Sequence, residues 1–191
     1  ERRDAAGRQR GAARSEHRGQ RTAQRPSARR RTGDPAREVA FDVLREVAGS
    51  DAYANLVLPP LLRRRRITGR DAAFATELTY GTLRLRGRHD AVLELASGRL
   101  MADLDPPLVD ALRLGAHQVM EMRVPAHAAV SETVALARAR VGAGPAQLVN
   151  AVLRALSATP AEDGLARLGA VEDETERVAA LHSHPVWVVR A

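Results

Sequence analysis

The side chains that could do chemistry in this chain are arginines and a few histidines. Arg63, Arg64, Arg65 and Arg66 form one run. Arg84, Arg86 and Arg88 alternate in a second cluster, Arg37 stands alone between them and the N-terminus, and Arg29, Arg30 and Arg31 close an arginine-rich N-terminal stretch. A guanidinium is always charged and offers a planar fork of N–H donors that matches two phosphate oxygens. About four to six such groups on phosphates give strong, salt-sensitive binding to nucleic acid. A solvated charged face is the competing reading, because every one of the 30 basic residues is arginine. The histidines promise less. His182 and His184 flank Ser183 before Pro185 but have no third ligand near them in sequence, and structural zinc sites use four. His117, inside an apolar helical stripe, reads as a hydrogen-bonded core or surface residue. His127, Glu132 and Asn150 read as helix-end or single buried polar contacts.

Other catalytic constellations are missing. There is no cysteine, hence no disulfide, thiolate metal site or thiol nucleophile. No glycine-rich phosphate loop follows a strand pattern, and no nucleophile has a base beside it. Stacking platforms are scarce too: Phe41, Tyr53, Phe74, Tyr80 and Trp187 are the whole aromatic supply. Binding to single-stranded RNA is therefore expected to rely on arginine rather than on aromatic planes.

The charge is unevenly spread. Residues 1–33 hold 11 arginines against three acids, Glu1, Asp4 and Glu16, a net of +8; the remainder has 19 arginines against 20 acids, a net of −1. The first segment also lacks Val, Ile, Leu, Met and aromatic residues, so no burial can offset the entropy of ordering it. It is expected to be a disordered polycationic arm. No apolar run approaches the roughly 18 residues of a membrane span, and no apolar core follows the N-terminal basic residues as in a secretory signal. These features fit a cytoplasmic protein without a membrane partner. The chain starts at Glu1, its three methionines are internal, and it stops within Val186-Trp187-Val188-Val189, so both ends read as cuts.

The elements that must position the arginines are helical. Hydrophobic residues make up 45% and aromatics 3%, a core of Leu, Val and Ala that favours helix over sheet. Asp34-Pro35 reads as an N-cap with proline in the first turn, followed by Val39, Ala40, Val43, Leu44 and Val47 at helical spacing, with Gly49 as the stop. Leu56, Val57, Leu58, Leu61 and Leu62 form a short element that Pro59-Pro60 is expected to interrupt. Thr68 or Asp71 opens the next helix, with Phe74, Leu78 and Leu85 on its buried side, and Gly87 is expected to allow a bend before Val92, Leu93 and Ala96. Asp105-Pro106-Pro107 starts a helix whose stripe, from Leu108 through Ala111, Leu112, Gly115 and Ala116 to Met120, is too broad for a surface helix and marks it as central. Further helices are expected over 127–141 and from Pro145 through Leu156, after a Gly142–Pro145 turn. A polar stretch, Ala161 to Glu176, precedes the last one. No alternating strand pattern occurs. The sum is an all-α bundle of about seven helices.

Three stretches carry a resemblance. RDAAFATELTYGTLR (70–84), LRLGAHQVMEMRVPAHAAVSETVALAR (112–138) and LVNAVLRAL (148–156) resemble, in order and spacing, the second, central and closing helices of NusB-like domains. Such domains occur as free-standing transcription antitermination factors, which bind a small RNA element with a ribosomal protein partner. They also occur at the N-terminus of the small-subunit ribosomal RNA cytosine-5 methyltransferases called RsmB, Sun or Fmu. VPAHAAVSE with His127, VNAVLR with Arg154, and LHSHPVWVVR (181–190) resemble the methyltransferase version. That resemblance implies a NusB-like RNA-binding domain over 34–160 and a helical linker over 161–191, while the tail over 1–33 lies outside the family pattern. The linker would lead into a downstream catalytic domain that binds S-adenosylmethionine and uses two cysteines. The resemblance implies ribosomal RNA and that downstream domain as partners and no catalytic or cofactor residue in this chain; from the arginine clusters themselves, Arg29 to Arg31, Arg37, Arg63 to Arg66, Arg84, Arg86 and Arg88 are the expected phosphate contacts.

Overall fold

Asp34 closes the N-terminus of the first helix in the manner its sequence context requires. In the computed structural model, which describes residues 33–159, 163, 166 and 173–190, its carboxylate accepts the backbone N–H groups of Ala36 and Arg37 at 2.9 and 3.0 Å. Proline follows at the first helical position, where its missing N–H costs nothing. The helix, α1, spans Pro35–Ser50. It does not stop at Gly49: the left-handed residue that ends it is Asp51, with φ 51°. Aspartate tolerates that conformation because its short side chain can bond locally.

Helix α2, Ala54–Arg64, corrects a second expectation, since Pro59 and Pro60 lie inside it without breaking it. The two carbonyls deprived of a donor are those of Asn55 and Leu56, four residues earlier. Both residues are exposed, so water can take the place of the lost N–H groups. Helix α3, Gly69–Arg84, and α4, Arg86–Ser97, meet at Leu85. The bend is there and not at Gly87. Helix α5 is Pro106–Met120, α6 Ala126–Arg140, α7 Ala143–Ala158 and α8 Glu174–His182, with a single turn α9 over Val186–Val189. Helix α7 starts two residues before Pro145 because Gly142, with φ 136°, makes the turn alone. Among the described residues there is no strand, and no helix is long and apolar enough to cross a membrane. The arginine-rich stretch 1–32 and most of the polar stretch 161–172 lie outside the described residues.

Helix α5 is the axis. It packs against α1, α3, α4, α6 and α7, and Leu112, Leu114, Ala111 and Ala116 on it are fully buried. The breadth of its apolar stripe is thus explained by neighbours on several sides. Gly115 lets α7 approach: a Cβ there would stand 2.3 Å from Leu153 Cδ1. A second cluster joins α1, α2 and α3 through Val39, Val43, Leu58, Leu61 and Ala75.

Helix α8 lies on α4 and is fixed by it. Arg88 Nε donates to the Leu181 carbonyl at 3.1 Å and the Arg88 backbone N–H to Ser183 Oγ at 2.9 Å. The third contact of Arg88 is an ion pair with Glu121 at 2.7 Å. Gly87 makes room for this: a Cβ there would be 3.2 Å from Ser183 Cα. Ser183 is left-handed, and the His184 N–H returns to the Ala179 carbonyl at 3.0 Å, closing the helix. Beyond that closure Trp187 stands 75% exposed.

Candidate nucleic-acid interface

The expected phosphate-binding arginines divide into three groups once they are placed in the fold. The first is the run at the C-terminus of α2. Arg63, Arg64, Arg65 and Arg66 are all exposed. The chain turns there, with Arg66 at φ 55°, before α3 begins. Arg63, Arg64 and Arg66 have no acidic partner among the described residues. Arg65 pairs with Asp42 on α1. So does Arg140 at the end of α6, and its guanidinium also lies 4.9 Å from the Phe41 ring centroid. One carboxylate therefore draws α2 and α6 arginines to the same place. The resulting corner has more cations than acids. Arg140 was not singled out from sequence; the clue was its place with Arg138 in the last turn of a helix.

The second group is at the α3–α4 junction. Arg84 and Arg86 are 67% and 59% exposed, each 3.9 Å from a carboxylate, Glu77 and Asp90 respectively. Exposed pairs at that separation contribute little to stability, so both guanidinia are free to turn to a ligand.

The third group is committed to the fold. Arg37 is 7% exposed. Its Nε donates to Gln118 Oε1 at 2.7 Å, its NH1 pairs with Asp34, and it stacks 4.8 Å above Phe74. Gln118 in turn donates to the Leu114 carbonyl at 2.9 Å and to Thr133 Oγ1 at 3.2 Å. A fully partnered polar chain thus ties α1 to α5 and α6. The Arg88 guanidinium is held between the Leu181 carbonyl of α8 and Glu121 at the end of α5. These two arginines are not available to phosphates. Arg29, Arg30 and Arg31 lie outside the described residues.

Between the first two groups runs an ion ladder. Arg45 meets Asp110 at 2.8 Å, and Arg113 meets Asp110 at 3.2 Å. Arg113 also holds Asp90 with two parallel bonds of 2.7 and 2.9 Å. Burial alone works against the charge of Arg113, but the bonds and charges of Asp90 and Asp110 outweigh it and push its pKa up.

The described histidines are spread over the fold. His182 and His184 are exposed, and no group of three potential ligands occurs among the described residues. His127 is exposed as well. His117 corrects the sequence reading: it is buried but not hydrogen-bonded. Its ring meets that of His89 edge to face, with centroids 5.3 Å apart, and none of the four ring nitrogens has a hydrogen-bond partner. Glu77 comes only to 3.7 Å of His117 Nε2. Burial, then the neighbouring charges of His117 and Arg88, push His89 down to about 3. Burial also lowers His117, against the opposing pull of Glu77 and Glu121.

The model of the NusB family matches residues 34–158. The chain belongs to the NusB family. It is 50% identical over 165 residues to a putative methyltransferase of Mycobacterium tuberculosis, an alignment covering 85% of this chain and 36% of that protein. It is 30% identical over 155 residues to a probable ribosomal RNA small subunit methyltransferase B of Bacillus subtilis, covering 81% of this chain and 34% of that one. The chain thus spans about a third of the length of these relatives. Among solved structures, a chain from the complex of antitermination factors NusB and NusE with double-stranded RNA superposes with TM-score 0.60 at 21% identity, over 65% of this chain and 95% of that chain. At that identity the likeness concerns the fold. The family assignment agrees with the all-helical architecture and with the order of the three stretches that suggested it.

Proposed function

We propose that this chain is the RNA-binding helical domain of a 16S ribosomal RNA 5-methylcytosine methyltransferase, and that it positions ribosomal RNA for a catalytic domain further along the polypeptide. The observation that carries this reading is the unneutralised corner of Arg63, Arg64 and Arg66, joined by Arg65 and Arg140. An arginine corner on a rigid scaffold is what phosphate binding needs, and it stands apart from the arginines spent on packing. The length and names of the relatives support a methyltransferase setting over a free-standing antitermination factor. Arg84 and Arg86 would add a second set of contacts at the α3–α4 junction, and the arginine-rich stretch 1–33 adds sequence-independent affinity. The exposed Trp187 and the fixed α8 are suited to receive the downstream domain.

S-adenosylmethionine does not fit the residues present. The described residues include no strand leading through a glycine-rich turn into a helix, and the chain has no cysteine to attack a cytosine ring. The methyl donor would belong to the downstream domain.

The test is binding to a 16S ribosomal RNA fragment across a salt series. The triple variant R63A/R64A/R66A should lose affinity and flatten the dependence of log K on log salt by roughly two to three, the loss expected for three phosphate contacts. Unchanged affinity and slope would remove this face from the proposal.

A further inference from the structure

Where α1 ends against the α3–α4 junction, the surface opens into a groove of about 370 Å³. That lies within the range of small-ligand sites. Two features of its lining go together. Tyr53, at the start of α2, lines the groove while remaining 74% exposed. Leu44 and Val47 give the groove an apolar wall.

The charges around the groove are also uneven in their commitments. Arg113 and Asp110 in the lining are bonded to each other, and Asp110 to Arg45 as well. Arg86 alone is loosely held and outward. Asp51, the other acid of the lining, would repel a second phosphate. Arg45, bonded to Asp110 of the groove lining, itself lines with Arg64 a depression between α1 and α2.

We infer that this groove takes one unpaired RNA base, stacked on Tyr53 with its phosphate on Arg86. The inference rests on the RNA-binding reading above and adds to it an aromatic plane that the sequence did not disclose. An exposed aromatic ring beside an apolar wall suits a π-face, and the loose guanidinium suits a phosphate. A duplex, whose bases are already stacked, could use only the cation.

The experiment uses the full chain and two probes: a mixed-sequence RNA 12-mer carrying a single 2-aminopurine, and the same strand annealed to its complement. The unmodified chain should bind the single strand with a saturable change in 2-aminopurine fluorescence. Tyr53→Ala should weaken that binding by about fivefold to a hundredfold, the range for loss of one base–aromatic stack, and abolish the fluorescence change, while leaving duplex binding as it was. Tyr53→Phe should restore both. If Tyr53→Ala binds the single strand as before with the same fluorescence change, while R63A/R64A/R66A weakens both probes, the base groove is wrong and the RNA reading stands. If the unmodified chain binds neither probe, both fall together.

Discussion

Arg37 and Arg63 are chemically identical and separated by one helical hairpin, yet the fold treats them in opposite ways. Arg37 is buried at 7% exposure and spends its guanidinium on Asp34, Gln118 and the Phe74 ring. Arg63 is exposed and has no partner among the described residues. The same contrast separates Arg113, locked between two aspartates, from Arg64 and Arg66. In a chain whose only basic residue is arginine, residue type says nothing about purpose. What decides is whether an acid or amide from another helix arrives at the guanidinium. The bundle therefore holds two populations of arginine, one serving the fold and one facing outward, and they should separate cleanly under mutation.

The largest effect should come from breaking the first population. Arg113→Ala leaves Asp110, whose side chain is 4% exposed, facing only Arg45, and removes both bonds to Asp90. Deleting one partner of a buried pair typically costs about 3–5 kcal/mol because the other charge remains buried. Urea denaturation should show a loss of that size. Arg37→Ala should follow at about 2–4 kcal/mol, since Gln118 Oε1 loses its donor and the Phe74 stack is lost. A loss of RNA affinity without a loss of stability in either variant would overturn the division. The reverse pattern, stability intact and affinity lost, is expected of R63A/R64A/R66A, whose side chains have no hydrogen bond or ion pair among the described residues.

A third polar group sharpens the comparison, because it is buried like Arg37 but unpartnered. His89 is pushed down to about 3 by burial and by the charges of His117 and Arg88. In the unfolded chain it titrates near 6.5. Its neutral form is the one the fold accepts, so its contribution to stability is complete above pH 6.5 and is lost as the pH falls toward 3. Between pH 7.5 and pH 5 the loss from this residue should be about 2 kcal/mol, with His117 acting in the same direction. His89→Leu should flatten the pH dependence over that interval. Denaturation midpoints that fall equally with acid in both proteins would place the acid sensitivity elsewhere.

Much of the scaffold was legible because its signals are local. Asp34-Pro35 named the start of α1, and the Leu108–Met120 stripe named α5 as the axis before any neighbour was known. The errors were at positions where tertiary context overrides a local rule. Pro59 and Pro60 read as a break, but the carbonyls they strand face water. Gly87 read as a bend, but the chain bends at Leu85, and the glycine answers to a residue 96 positions later. The candidate interface was legible only in part for the same reason. The run 63–66 is visible as a run, whereas the fate of Arg37 depends on Gln118, 81 residues away, and that of Arg45 on Asp110, 65 away. Tyr53 was counted among too few aromatics to matter, since exposure beside a groove has no signature in sequence.

The smallest expected effect tests the least conspicuous of these corrections. If Gly87 exists for flexibility, Ala in its place should simply improve the helix, by up to about 1 kcal/mol in an interior position and less in a first turn. If it exists to admit α8, the new Cβ meets Ser183 Cα at 3.2 Å, a backbone atom that cannot rotate aside. The Arg88 N–H bond to Ser183 Oγ and the Arg88 Nε bond to the Leu181 carbonyl must then lengthen together. The two terms nearly offset, so Gly87→Ala should change global stability by no more than about 0.5 kcal/mol. Its effect should show locally instead, as faster hydrogen exchange at the amides of Arg88 and His184 with the rest of the bundle unaffected. Exchange there that stays at the unmodified rate, with a gain in midpoint, would mean that α8 is not held against α4 by close approach, and Arg88 would return to the outward-facing population.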